Sequence, residues 1–141
     1  MRLTRYTDYA MRVLLYLGAR PEQICSIAEI ARAYGVSQNH LMKVVSELAR
    51  EGFVTSMRGR TGGIRLARAP EAINVGDVVR RMEDDFSLVD CANCIIAPAC
   101  GLSCALQEAV AAFLAVLDRY TLADFLAQRS DLTNLLQPTP T

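Results

Sequence analysis

The chain has 141 residues, 52% of them apolar, with 6% aromatics, no tryptophan, and fifteen basic side chains against fifteen acidic ones. That apolar content suits a packed core and excludes global disorder, while the scarcity of aromatics argues against an aromatic-lined reader of single strands. The neutral total averages two unlike halves: residues 1–68 hold eleven basic and five acidic residues, and residues 69–141 hold four and ten. A balance of +6 followed by −6 is the pattern expected when one half meets a polyanion and the other does not.

A first helix is expected over residues 4–17, where Tyr6, Tyr9, Ala10, Val13, Leu14 and Leu17 recur at three- and four-residue steps. Arg2 and Arg5 ahead of this apolar stretch imitate a signal peptide, but Asp8 and Arg12 interrupt it. No apolar run approaches the roughly 20 residues of a membrane span, so the expected location is the cytoplasm. Ser26 with Glu29 three residues on is a capping box for a helix over 27–33. Gly35 marks a tight turn, and Ser37 caps another helix over 38–51 that Gly52 ends. Two short helices joined by such a turn match a helix-turn-helix. Its recognition helix would present Ser37, Gln38, Asn39, His40 and Lys43, of which Asn and Gln suit adenine edges and Lys suits phosphate or guanine.

Phe53 to Met57 and Ile64 to Ala67 read as paired strands, with Gly62-Gly63 supplying the permissive backbone of the turn. A basic hairpin directly after a helix-turn-helix is a wing, and Arg58, Arg60 and Arg65 would reach phosphates or a narrow minor groove. A charged hairpin standing free in solvent is the alternative; position, turn chemistry and the +6 balance together favour the wing.

Beyond Pro70, Asn74 and Asp77 cap a helix over 75–82, and Glu83-Asp84-Asp85 reads as its solvated end. A loop over 91–104 follows, then a long helix over about 103–120 with an apolar stripe of Leu106, Val110, Phe113, Leu114 and Leu117 widened by alanines. Such a surface suits a two-fold dimer on palindromic DNA, although burial in the chain's own core is the alternative. Thr121 and Asp124 cap a last helix over 122–129, and residues 136–141 are expected to form a disordered tail. The fold class is therefore mainly α with a small β-hairpin wing: a winged helix-turn-helix over 1–70, then a sensor loop and long C-terminal dimerisation helix over 71–135.

Four of the five cysteines, Cys91, Cys94, Cys100 and Cys104, fall within fourteen residues as C-x2-C-x5-C-x3-C. In a reducing compartment such a cluster points to metal or redox chemistry rather than to structural disulfides. Zinc sites usually set two close pairs around a longer loop, whereas several thiolates on one short loop suit the corners of an iron–sulfur cluster. Iron–sulfur, zinc and a dithiol switch all remain open on residue chemistry. Cys25 reads as a small buried residue. His40, the single histidine, suits a DNA contact or a helix surface better than a metal. Asp8 by itself reads as a helix-start acid favoured by the dipole. No Ser/His/Asp or Cys/His constellation indicates an enzyme.

The opening Met1-Arg2-Leu3-Thr4 with Asp8-Tyr9-Ala10, the run from Ala33 to His40, the run from Val54 to Leu66, Ile73-Asn74-Val75-Gly76-Asp77, Asp90-Cys91, Pro98-Ala99-Cys100 and Tyr120-Thr121-Leu122-Ala123-Asp124 appear in order along the chain. Together they resemble the bacterial winged-helix iron–sulfur transcriptional regulators of the NsrR/IscR/RirA group, and within it the NsrR branch. The resemblance implies a homodimeric repressor that senses nitric oxide and leaves palindromic double-stranded DNA when its cluster is nitrosylated. It implies a cluster, 4Fe–4S rather than 2Fe–2S, on Cys91, Cys94 and Cys100, with Asp8 of the partner subunit as a non-cysteine ligand. Ser103 stands where the IscR branch has histidine, and the acid at Asp8 sets the chain apart from the RirA branch. Two features depart from the family: the first cysteine gap is two residues where four or more are common, and Cys104 is an extra thiol able to replace Asp8. The alternative functions are an iron or redox sensor of the same family and a zinc-stabilised DNA-binding protein.

Overall fold

The computed structural model describes residues 1–137. It comprises α1 (Arg5–Gly18), α2 (Ile27–Tyr34), α3 (Gln38–Arg50), β1 (Val54–Met57), β2 (Gly63–Leu66), α4 (Val75–Met82), α5 (Leu102–Leu117), α6 (Leu122–Phe125) and α7 (Arg129–Leu135). The fold is mainly helical with one two-stranded antiparallel hairpin, in the winged-helix arrangement.

Local capping starts most of these helices where the sequence places them. The Thr4 side chain accepts from the Thr7 N–H at the head of α1, Ser26 and Glu29 form the reciprocal capping box of α2, and Ser37 accepts from the His40 N–H on α3. Asn74 accepts from the Asp77 N–H at α4, and Thr121 with Asp124 boxes α6. Each cap satisfies a donor that the first helical turn would otherwise leave open.

The hairpin pairs Val54 with Leu66 and Met57 with Gly63. Cys25 adds a third bridge at its edge: its N–H donates to the Ile64 carbonyl at 2.9 Å and its carbonyl accepts from the Ile64 N–H at 2.8 Å. The role expected of Gly62-Gly63 is different from the one found. Neither takes a positive φ; the left-handed residue of the wing is Gly59, at φ 110°. Gly62 and Gly63 are required by proximity instead, since a Cβ on them would stand 2.3 Å from the Met57 carbonyl oxygen and 2.4 Å from that of Cys25.

One core joins the first half of the chain and α4 to the C-terminal segment. Leu14, Ile30, Leu48, Phe53 and Ile64 from the first half are fully buried, and Leu122, Leu126 and Leu136 close the same core from the far end. The C-terminal segment departs from its expected form. The helix after Thr121 stops at Phe125, and a separate helix, α7, follows. It carries Leu132 and Leu136, one turn apart, back to the core, so Leu136 is buried although the sequence places it in a tail. Residues 138–141 of that expected disordered tail lie outside the described residues.

Helix α5 has no buried residue. It is anchored at its C-terminal end: Arg80 pairs with Asp118, the Asn74 amide donates to the Asp118 carbonyl at 2.7 Å, and Gly76 lies so close that a Cβ would overlap Asp118. The stripe read from the sequence is only partly covered within the chain. Leu106, Val110, Phe113, Leu114 and Leu117 are half-buried against their own chain. The open face carries Leu102, Ala105, Ala109, Ala112 and Val116, spaced by three and four residues.

Candidate DNA-reading face and metal centre

The recognition helix α3 is held from behind. Its inner side buries Leu41, Val44, Val45 and Leu48. The Tyr6 hydroxyl donates to the Lys43 carbonyl at 3.2 Å, and the Tyr9 ring lies 5.0 Å from that of His40. Ser37, Gln38, Asn39 and Lys43 are exposed at the helix start, while His40 is half-buried against α1. His40 thus leans toward packing, and Gln38 and Asn39 are exposed side chains able to hydrogen-bond a base edge. Replacing Asn39 by alanine is expected to cost about 1–3 kcal/mol of base discrimination without loss of fold; unchanged selectivity between matched and mismatched duplexes would remove it from the reading set.

Arg58, Arg60 and Arg65 are exposed on the wing. Among the described residues no acidic side chain pairs with them or with Lys43, whereas Arg12, Arg50, Arg80 and Arg81 are all engaged in ion pairs. Arg68, close by in sequence, lies over the Phe53 ring at 4.7 Å and donates to the Gly52 carbonyl, so it is structural. Arg2, Arg5, Arg32, Arg119 and Arg129 likewise make no ion pair among the described residues; the recognition helix and the wing gather four exposed cations of this kind, Lys43, Arg58, Arg60 and Arg65, where a polyanion would compensate them.

Asp8, on the first turn of α1, is half-exposed and held by Arg12 through two contacts, Nε to Oδ1 at 3.1 Å and Nη2 to Oδ2 at 3.2 Å. Arg12 lies 5.7 Å from the rings of both Tyr9 and Tyr34. Asp8 is thus linked through one arginine to Tyr9, which packs on His40 of the recognition helix.

The cysteine loop is open. Cys91 and Cys94 are exposed, Cys100 is half-buried, and Cys104 is exposed on the first turn of α5; all are free thiols. Turn hydrogen bonds shape the loop, from the Cys94 N–H to the Cys91 carbonyl and from the Ala97 N–H to the Cys94 carbonyl. It borders a cleft of about 800 Å³ between the loop and α5, lined in part by Asp85, Leu88, Cys91, Ser103 and Val110. Among the described residues no three His, Cys, Asp or Glu side chains converge on a metal-binding geometry. The structure therefore leaves Cys91, Cys94, Cys100 and Asp8 apart within one chain.

The donor set nevertheless fits a soft metal. Three thiols stand on one solvent-reaching loop that little side-chain packing restrains, and thiolate is the preferred ligand of iron–sulfur clusters. Cys25 is the contrasting case. It is fully buried in the strand bridge, and burial pushes its thiol up to about 11. At neutral pH it stays protonated, sealed in the strand bridge while the other four thiols reach solvent to varying degrees. Alkylation of the native, iron-free protein is expected to modify Cys91, Cys94 and Cys104 and spare Cys25; mass spectrometry of the digested product checks this, and early labelling of Cys25 would contradict its burial.

Sequence reasoning missed two kinds of residue. Tyr6 and Tyr9 read as core yet brace the recognition helix by specific contacts. Glu83, read as a solvated helix end, is buried, and no local signal distinguishes it from Asp84 and Asp85.

A winged helix-turn-helix with free cations on its reading face is the architecture of a DNA-binding transcriptional regulator, not an enzyme. Residues 3–128 match the Rrf2 family, described as iron-dependent transcriptional regulators, and the chain belongs to that family. It is 52% identical over 143 residues to the HTH-type transcriptional regulator NsrR of Bacillus subtilis, covering 97% of this chain and 98% of that protein. With the NsrR of Geobacillus kaustophilus it shares 50% identity over 143 residues, covering 97% of each. Among solved structures, IscR of T. potens superposes with a TM-score of 0.74 at 26% identity, over 99% of this chain and 94% of that one. CymR, the global cysteine regulator of B. subtilis, superposes with a TM-score of 0.69 at 27% identity, over 91% of this chain and 98% of that one. No described helix is long and apolar enough to cross a membrane.

Proposed function

We propose that this regulator is a nitric-oxide-responsive repressor that works as a homodimer, carries a 4Fe–4S cluster and binds operators of two-fold symmetry. The observation that carries this reading is the union, in one chain, of two features. A reading head has unpaired Lys43, Arg58, Arg60 and Arg65, and an exposed three-thiol loop runs straight into an apolar helix with no buried residue. Nitric oxide as the signal follows from the resemblance of the motifs to the NsrR branch, and the likeness to transcriptional regulators named NsrR is in keeping with that branch. Residues 1–70 would read DNA and residues 71–135 would sense and dimerise.

In this reading Cys91, Cys94 and Cys100 hold the cluster, and Asp8 of the partner subunit is the fourth donor, with Cys104 as its competitor. When bound, the cluster supplies iron to which nitric oxide binds. Asp8 would be the weakest of the four donors, because a carboxylate suits softer iron poorly. Arg12 already holds that carboxylate in the chain by itself, so a released Asp8 has a ready partner. Tyr9 beside Asp8, and Tyr6 two residues before it, touch α3, so a change at the head of α1 bears on where the recognition helices stand. A dimer must hold these about 34 Å apart to read successive half-sites, and a small shift moves the population toward a form that cannot bind.

Anaerobic purification followed by iron, sulfide and zinc analysis, then a nitric-oxide titration with operator DNA present, tests the reading. A brown protein that releases DNA as nitric oxide is added is the expected result. A colourless protein with stoichiometric zinc would replace it with a zinc-stabilised regulator, and a brown protein indifferent to nitric oxide would point to iron or redox sensing.

A further inference from the structure

Glu83 is the one acidic side chain buried among the described residues, at 9% exposure. It follows the last residue of α4, where its N–H closes the helix on the Val79 carbonyl at 2.9 Å. Its carboxylate reaches the head of α1, accepting from the Thr4 N–H at 3.2 Å, the Thr4 hydroxyl at 3.2 Å and the Thr7 hydroxyl at 2.5 Å. The open N–H groups of a helix start favour an anion there, and these donors compensate the burial of the charge.

Its place in the chain gives this contact a meaning beyond stability. Asp8 follows Thr7 directly, and its N–H is bound to the Thr4 carbonyl at 3.0 Å. On the other side of Glu83 the chain enters the segment that reaches Cys91 eight residues later. One carboxylate therefore ties the turn that carries Asp8 to the root of the loop that carries the thiols. Asp84 and Asp85, although adjacent, are exposed and take no part.

We propose that Glu83 is a positioning residue for metal binding: acting through Thr4 and Thr7, it sets Asp8 and the take-off of the cysteine loop in one fixed relation. The proposal rests on Asp8 being a donor to the partner's loop. In a two-fold dimer each Glu83 then places both the donor its own subunit gives and the loop on which that subunit receives one. Glutamine at this position keeps the length but loses the charge and turns an N–H2 group toward donors, so the head of α1 loosens.

The test uses the full-length protein purified anaerobically, with Glu83→Gln, Asp8→Ala and their double variant. Thr7→Val, which removes one donor without changing volume, serves if Glu83→Gln folds poorly. Iron retention against a chelator and the rate of spectral change with nitric oxide are measured on the loaded protein. Amide-hydrogen exchange over residues 5–9 is measured on the iron-free protein. Glu83→Gln and Thr7→Val are expected to lose iron several-fold faster, to change the nitric-oxide rate as Asp8→Ala does, and to exchange the first-turn amides at least about tenfold faster. The double variant is expected to be no worse than Asp8→Ala alone, because both changes act through one donor. The proposal is overturned if the Glu83 and Thr7 variants only lower Tm, with iron retention and nitric-oxide rate unchanged, or if the double variant is additive. Should Asp8→Ala itself leave iron retention unchanged, the donor reading falls and this proposal with it. A sensitive Asp8→Ala beside an indifferent Glu83→Gln overturns the positioning role alone.

Discussion

Between about 50 mM and about 200 mM salt, affinity for the operator is expected to fall about a thousand-fold or more. The cause is counterion release. Lys43, Arg58, Arg60 and Arg65 have no acidic partner among the described residues, so each is free to neutralise a phosphate. A two-fold dimer doubles the set, and at a slope of about −0.9 per phosphate contact the logarithm of the binding constant falls about seven-fold as steeply as the logarithm of salt. Arg60→Ala is expected to reduce that slope by about two, one for each subunit. Arg80→Ala is expected to leave it unchanged, because the Arg80 charge is already compensated by Asp118. Fluorescence anisotropy on a labelled duplex at several salt concentrations reads all three. A flat salt dependence would refute the winged-helix interface.

Ala112→Asp is expected to turn the dimer into a monomer that retains its fold but loses its operator. Ala112 is exposed in the chain by itself, so a carboxylate there meets only water and leaves the helical signal intact. In the proposed dimer it lies on the open stripe of α5 formed by Leu102, Ala105, Ala109, Ala112 and Val116. Small side chains along such a stripe let two helices pack closely. An unpaired charge buried there costs about 3–5 kcal/mol, and about 3 kcal/mol already weakens association over a hundred-fold. Like charges from the two subunits would face one another as well. Sedimentation equilibrium gives the oligomeric state and circular dichroism the fold. A variant that stays dimeric at micromolar concentration would place the dimer contact elsewhere.

The parts of this protein legible in its sequence are those whose physics is local. Ser26 with Glu29, Ser37, and Asn74 with Asp77 start helices because each cap satisfies donors within the next three residues. The hairpin, the order of elements and the sign of the reading face follow from alternation, turn residues and charge. Errors arose where spacing allowed two answers. The apolar positions of α5 outnumber what one face needs, and periodicity cannot say which of them the chain covers itself. Helix α7 begins at Arg129 and its N-cap, Gln128, makes no side-chain cap, so nothing local announces it. Gly62-Gly63 read as a flexible turn although the need there is for missing Cβ atoms, a matter of how closely the Cys25 strand and the Met57 carbonyl approach.

The residues of the site divide in the same way. The sequence by itself determined the class of fold and singled out the candidate thiols and base-reading side chains, because residue chemistry and near-neighbour spacing suffice for each. The sequence already read Cys25 as buried; tertiary structure alone decided that a strand bridge buries it, that His40 leans on Tyr9, and that Asp8 is already held by Arg12. It alone set Glu83 apart from its two acidic neighbours, by bringing the end of α4 to the head of α1 across more than seventy residues. Those are consequences of long-range packing: burial and the partners of a charge depend on which surfaces the core brings together, and no window along the chain contains both sides of such a contact.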